Sequence, residues 1–138
     1  MIEPRNDAEH TVAAFFAALG KGNFAAARAV MAPDMTWTVM GRGVPGAGTN
    51  TGPDAIFATI APIRALFAPG SPVITLRWLT SNEERVVMET HGGGHFADGR
   101  PYDNNYVMSL DVKGGQIVAL REYMDTYYVN QLGLPDSN

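Results

Sequence analysis

Apolar residues repeat every three or four positions in the first half of the chain and every second position after Ser71, so helices are expected first and strands last. Asn6-Asp7-Ala8-Glu9 has the form of a capping box, and Val12, Phe15, Phe16 and Leu19 follow at helical spacing up to Gly20. A short second helix fits residues 23–31, with Phe24, Ala27, Val30 and Met31 inward and Pro33 ending it. Met35-Thr36-Trp37-Thr38-Val39 reads as a strand. Pro53-Asp54 opens a third helix whose Ile56, Ile60, Ile63 and Phe67 share one face, and Pro62 is expected to kink or split it.

Residues 41–52 hold five glycines and a proline, which predicts a long mobile loop. Candidate strands cover 72–80, 84–96, 103–112 and 116–127, joined by segments rich in turn residues. Within the second of them, Gly92-Gly93-Gly94 is expected to form a bulge or a sharp bend. Helices followed by antiparallel hairpins give a single α+β domain over residues 1–138.

Composition narrows the function classes. A chain of 138 residues with 46% hydrophobic and 17% charged residues supports one sizeable core. The formal charge of -4 and ten scattered Lys and Arg residues argue against nucleic acid as a partner. No apolar run approaches the ~18 residues that span a bilayer, and Met1-Ile2-Glu3-Pro4-Arg5 lacks signal-peptide character, so no membrane partner and a cytoplasmic protein are expected. The chain has no cysteine, which excludes disulfides and thiolate metal sites. Of its three histidines, His10 begins the first helix, and His91 and His95 stand ~13 Å apart along an ideal strand, so no metal is expected.

The run Gln116-Ile117-Val118-Ala119-Leu120-Arg121-Glu122-Tyr123-Met124-Asp125 carries three charges among aliphatic residues. Strand alternation separates them: Leu120, Glu122 and Met124 share one face, and Arg121, Tyr123 and Asp125 the other. A one-residue change of register would exchange the two sets.

The order helix-helix-strand-helix-hairpins, with Thr51-Gly52-Pro53-Asp54-Ala55-Ile56, Gly115-Gln116-Ile117-Val118, Leu120-Arg121-Glu122-Tyr123-Met124-Asp125 and Asn130-Gln131-Leu132-Gly133, resembles the NTF2-like superfamily. That superfamily includes SnoaL-like cyclases, ketosteroid isomerases and limonene-epoxide hydrolases. The resemblance covers residues 6 to 133. It implies a cone-shaped α+β fold, with a curved, mostly antiparallel sheet wrapped around three N-terminal helices and an internal pocket. It also implies a homodimer formed through the outer face of the sheet. Aligned with the epoxide hydrolases, Glu122 takes the place of a pocket aspartate, and Glu89 and His91 those of an arginine and a second aspartate. Asn104, Tyr106, Met108 and Leu110 would line the pocket from the next strand. The implied acid/base set is Glu89, His91, Asn104, Tyr106 and Glu122. Its apolar surroundings are Phe15, Phe16, Trp37, Ile60, Ile63, Phe67, Met108, Leu120 and Met124.

A histidine beside a carboxylate can shuttle a proton near neutral pH, and a glutamate among aliphatic residues has its pKa raised by desolvation. Tyr106 and Asn104 would polarise a substrate oxygen. The resemblance thus implies a cofactor-free isomerase, cyclase or hydrolase acting on a small, apolar, oxygen-bearing molecule. The rival reading is a non-catalytic ligand-binding or dimerisation module. Plain alternatives stand beside the roles: His91 as a core histidine bonded to Glu89 or Tyr106, and Glu122 as a rim ion pair with Arg121 or Arg77.

Overall fold

The computed structural model describes residues 3–135. Helix α1 spans Asp7–Gly20, and the Asn6 side chain caps it by accepting the Glu9 backbone N–H at 2.9 Å. Glu9 does not close the box on Asn6's own backbone. Its carboxylate instead accepts from the Arg5 backbone and guanidinium and from the Ser81 hydroxyl, which ties the helix start to the sheet. Helix α2 is only Phe24–Arg28, because the chain turns into strand β1, Met31–Val39, directly after it. Helix α3, Pro53–Arg64, runs through Pro62 without splitting, since that proline falls in its last turn. Strands β3 (Val73–Ser81), β4 (Arg85–His95), β5 (Pro101–Lys113) and β6 (Gln116–Met124) follow at the expected places.

Two elements depart from the pattern. Gly48–Thr51, inside the expected loop, forms strand β2, which pairs with β1. The last expected strand stops at Met124, and Thr126–Gln131 forms helix α4 instead. Asp125 starts that helix by accepting the Tyr128 backbone N–H at 3.0 Å.

The six strands lie in the order β2-β1-β6-β5-β4-β3, all antiparallel except the β1·β6 pair. This is the α+β fold expected, with the helices covering one face of a single mixed sheet. Phe15, Val12, Met35, Ile56, Leu110, Ile117 and Leu120 are fully buried between the two layers. The glycine triplet makes no bulge, since β4 pairs with β5 residue for residue from Arg85 to His95. Its glycines make room instead: a Cβ on Gly92 would stand 3.1 Å from the Tyr106 ring, and one on Gly94, at φ 157°, would meet the Ser71 side chain. On the outer face the guanidinium of Arg121 grips both Asp111 carboxylate oxygens, at 2.9 and 3.1 Å, and Arg85 also reaches that carboxylate.

Candidate active site

Between the helices and the concave face of the sheet lies a cavity of about 740 Å³. Its helical wall carries Phe16 from α1 and Ile60 and Ile63 from α3, with Phe67 just beyond α3. Its sheet wall carries Trp37, Met88, Met108 and Met124. Alternation selects these positions, because every second residue of a strand faces inward.

Glu122 reaches this apolar space from the middle of the wall. The β1·β6 pairing sets Val39 opposite it, and β5 sets Met108 on its other side. The part of Glu122 that is not covered by protein faces the cavity. Trp37 Nε1 donates to Oε1 at 3.1 Å, the carboxyl's one hydrogen bond among the described residues. Burial pushes the Glu122 carboxyl up to about 7, and only the Trp37 hydrogen bond opposes it.

A second polar group stands along β5. The Tyr102 and Tyr106 hydroxyls are hydrogen-bonded to each other, and Asn104 Nδ2 donates to the Tyr102 oxygen at 3.2 Å. The Asn105 backbone N–H donates to Asn104 Oδ1 at 2.8 Å, which fixes the amide orientation. Burial raises the pKa of both tyrosines, so each remains a neutral donor at physiological pH. Thr90 completes the polar set. Its hydroxyl is buried at the cavity wall and has no hydrogen-bond partner among the described residues.

The structure brings Glu122, Tyr106, Phe16, Trp37, Ile60, Ile63, Phe67, Met108 and Met124 to the cavity. Asn104 is buried just behind the tyrosines, while Phe15 and Leu120 are fully buried in the core and do not line the space. Glu89 and His91 are the correction. Inward positions of β4 are Val86, Met88, Thr90 and Gly92, so Glu89 and His91 face outward. His91 Nε2 pairs there with the exposed Asp103 at 2.5 Å rather than with any pocket group. The physical reason is desolvation: alternation offered two faces, and the one with adjacent polar side chains is the cheaper to leave in water.

Sequence reading passed over Tyr102, Thr90 and Arg64, all at the cavity wall. Tyr102 shares the parity of Asn104 and Tyr106, and only an early limit on the strand, at 103, hid it. Thr90 follows from the same one-residue shift that misplaced His91. Among the described residues no three His, Asp or Glu side chains come together as a metal site would require.

The SnoaL-like domain family matches residues 12–120. A search of curated proteins found no match. Among solved structures, an NTF2-like protein from Burkholderia xenovorans is 26% identical, with a TM-score of 0.76 over 91% of this chain and 94% of its own. Another, from Burkholderia thailandensis, is 25% identical, with a TM-score of 0.79 over 96% of this chain and 100% of its own. TerC, co-crystallised with polyporic acid, shares 20% identity and a TM-score of 0.81 over 92% of this chain and 98% of its own, a likeness of fold. With most of its length matched by one family, the chain belongs to the SnoaL-like domain family of the NTF2-like superfamily.

Proposed function

We propose that the protein is a cofactor-free acid/base enzyme that moves a proton next to a carbonyl or similar oxygen of a small, largely apolar molecule held in the cavity. The observation that carries this reading is Glu122, a carboxyl pushed up to about 7 in an apolar space and held by one hydrogen bond. A group with a pKa near the working pH is populated both as acid and as base. In its ionised form Glu122 would take a proton from the carbon α to the substrate carbonyl, the C–H electron pair passing into the enolate, and in its neutral form return the proton to a carbon of that enolate. The tyrosine pair supplies the complementary half. Asn104 donates to Tyr102, and either tyrosine hydroxyl can donate in the bond between the two; in the arrangement we propose Tyr102 donates to Tyr106, which leaves the Tyr106 proton for a substrate oxygen whose charge develops during the step. TerC's co-crystallised ligand supports a small molecule as the partner of this fold.

Incubation in D2O with a panel of apolar ketones, followed by NMR, tests the reading through loss of the protons next to the carbonyl. The wild type should exchange them with an apparent pKa near 7, and Glu122→Gln should be inert. Equal exchange in both proteins, or none across the panel with the wild type, would remove Glu122 as the base.

A binding module of the same fold is the second reading. It is favoured by one observation: among the described residues no histidine or second carboxylate shares the cavity wall with Glu122 to relay a proton. In that case the cavity would bind the same ketones, and none would turn over.

A homodimer through the outer face of the sheet belongs to this proposal. Val73, Trp78 and Tyr123 stand exposed on that face, with the half-buried Val107 paired to Tyr123. Exposed aromatic side chains of this kind are enriched at interfaces. Light scattering should give twice the chain mass and fall to the chain mass in Trp78→Glu.

A further inference from the structure

Among the described residues that line the cavity, two side chains carry formal charge: Glu122 on the sheet and Arg64 at the end of α3. Arg64 is exposed and has no acidic partner among the described residues. Five of the chain's ten basic residues, Arg5, Arg28, Arg85, Arg100 and Arg121, are paired with carboxylates. Of the others, Lys21, Arg42, Arg77 and Lys113 do not reach the cavity, which leaves Arg64 as the one unpaired cation there among the described residues. Arg64 forms no ion pair with Glu122 either, whose carboxylate accepts from the Trp37 indole instead. The two charges therefore stand apart, with Ile60 and Ile63 on the Arg64 side of the apolar wall.

We infer that Arg64 is an anion-recognition residue at the cavity mouth, and that the substrate is an apolar molecule with a carboxylate or a similar anionic group at the end away from Glu122. The inference rests on the small-molecule reading above and narrows its substrate class. The anion is held at a solvated rim, where a fork of guanidinium donors grips a planar oxyanion without the cost of full burial. The remainder of the molecule lies along the apolar wall, and its reactive carbon meets Glu122. An ordinary reason for Arg64 also exists: a cation in the last turn complements the helix dipole of α3. That role predicts changed stability and no ligand-charge preference.

A matched pair of fluorescent ligands separates the two. 1-Anilinonaphthalene-8-sulfonate carries an anion, and N-phenyl-1-naphthylamine has the same ring system without it. Titration of each into the full chain gives a ratio of affinities, anionic over neutral. An exposed ion pair of this type changes that ratio by roughly two- to fivefold. In Arg64→Gln the ratio should fall by that factor, with the neutral ligand binding as before. In Arg64→Lys and in Arg77→Gln, a control cation outside the cavity, most of the ratio should persist. High salt should weaken the wild-type preference and leave the Arg64→Gln ratio flat. An unchanged ratio in Arg64→Gln, or an equal fall in Arg77→Gln, overturns the inference and leaves the acid/base reading to the deuterium-exchange assay. If neither ligand binds the wild type, the small-molecule reading fails along with it.

Discussion

The Trp37 indole gives its one N–H to Glu122, Nε1 to Oε1 at 3.1 Å, across the parallel pair of strands β1 and β6. Among the described residues that bond is the one contact that favours the charged carboxylate, and burial outweighs it. Trp37→Phe keeps an apolar ring in place and removes the donor. Loss of a hydrogen bond to the charged form moves a carboxyl further up, so Glu122 should titrate above its present value of about 7. Carbon NMR of labelled glutamate reads this directly, and a downward shift or none would show that the indole does not hold the charge.

The same carboxyl makes stability depend on pH. Its folded value of about 7 lies above the ordinary 4.5, so the folded chain binds the proton more tightly than the unfolded chain does. Stability from this group is then greatest below pH 4.5 and falls as pH rises through about 7. At 1.36 kcal/mol for each pH unit between those values, the ceiling on the loss is about 3 kcal/mol. Glu122→Gln removes the dependence. Urea unfolding should find the variant more stable than wild type at pH 8 by up to that amount, and nearly equal at pH 4. Parallel pH curves for the two proteins would contradict the burial argument.

The two tyrosines differ in what they leave behind when their hydroxyls are removed. Tyr102→Phe strips the buried Asn104 amide of its partner, which costs about 1–3 kcal/mol. Tyr106→Phe keeps the Asn104–Tyr102 bond and should cost about 0.5–1.5 kcal/mol. On the proposed mechanism the order reverses for turnover: Tyr106→Phe should lower kcat the more, because its proton faces the substrate. Urea midpoints and rates measured on the same preparations give both orders, and a Tyr102→Phe variant as stable as Tyr106→Phe would break the chain of bonds described above.

Much of the site was legible because alternation is a strong signal where both neighbours of a position are apolar. Glu122 lies between Leu120 and Met124 on its face of β6, and Tyr106 is followed on its face of β5 by Met108 and the fully buried Leu110, so the core fixes their direction. Strand β4 gave a weaker signal. Val86 and Val87 are both apolar, and either parity satisfies them, so alignment with another family's triad placed Glu89 and His91 on the wrong face. Reading charge alone would have turned the strand correctly, since two adjacent polar side chains favour water. Helix α4 and strand β2 were hidden for a different reason. Strand β2 depends on a tertiary partner, β1, and α4 on a local one, the Asp125 cap, which the reading of a strand running on to residue 127 passed over.

Thr90 carries a buried hydroxyl with no partner among the described residues, which is a cost of about 1–3 kcal/mol in the unliganded chain. Thr90→Val keeps the shape and replaces the hydroxyl with a methyl. The melting temperature should rise, and a fall would show that the hydroxyl is satisfied in solution, as by a bound water.

The last test concerns His91. On the outer face, 12 residues from Asp103 in sequence and 2.5 Å from it in space, the imidazole forms a surface pair with a largely exposed carboxylate. Such pairs contribute about 0–1 kcal/mol. His91→Ala should therefore change stability by no more than that amount and leave ligand affinity and proton exchange at wild-type levels, whereas Glu122→Gln stops exchange. The ring also rests beside Gly93, where a Cβ would stand 2.9 Å from Cε1, so Gly93→Ala displaces the ring without touching the cavity. If either outer-face variant lowers exchange tenfold, the sheet transmits more than its register implies, and β4 would need a role in catalysis that its inward residues, Met88 and Thr90, do not supply.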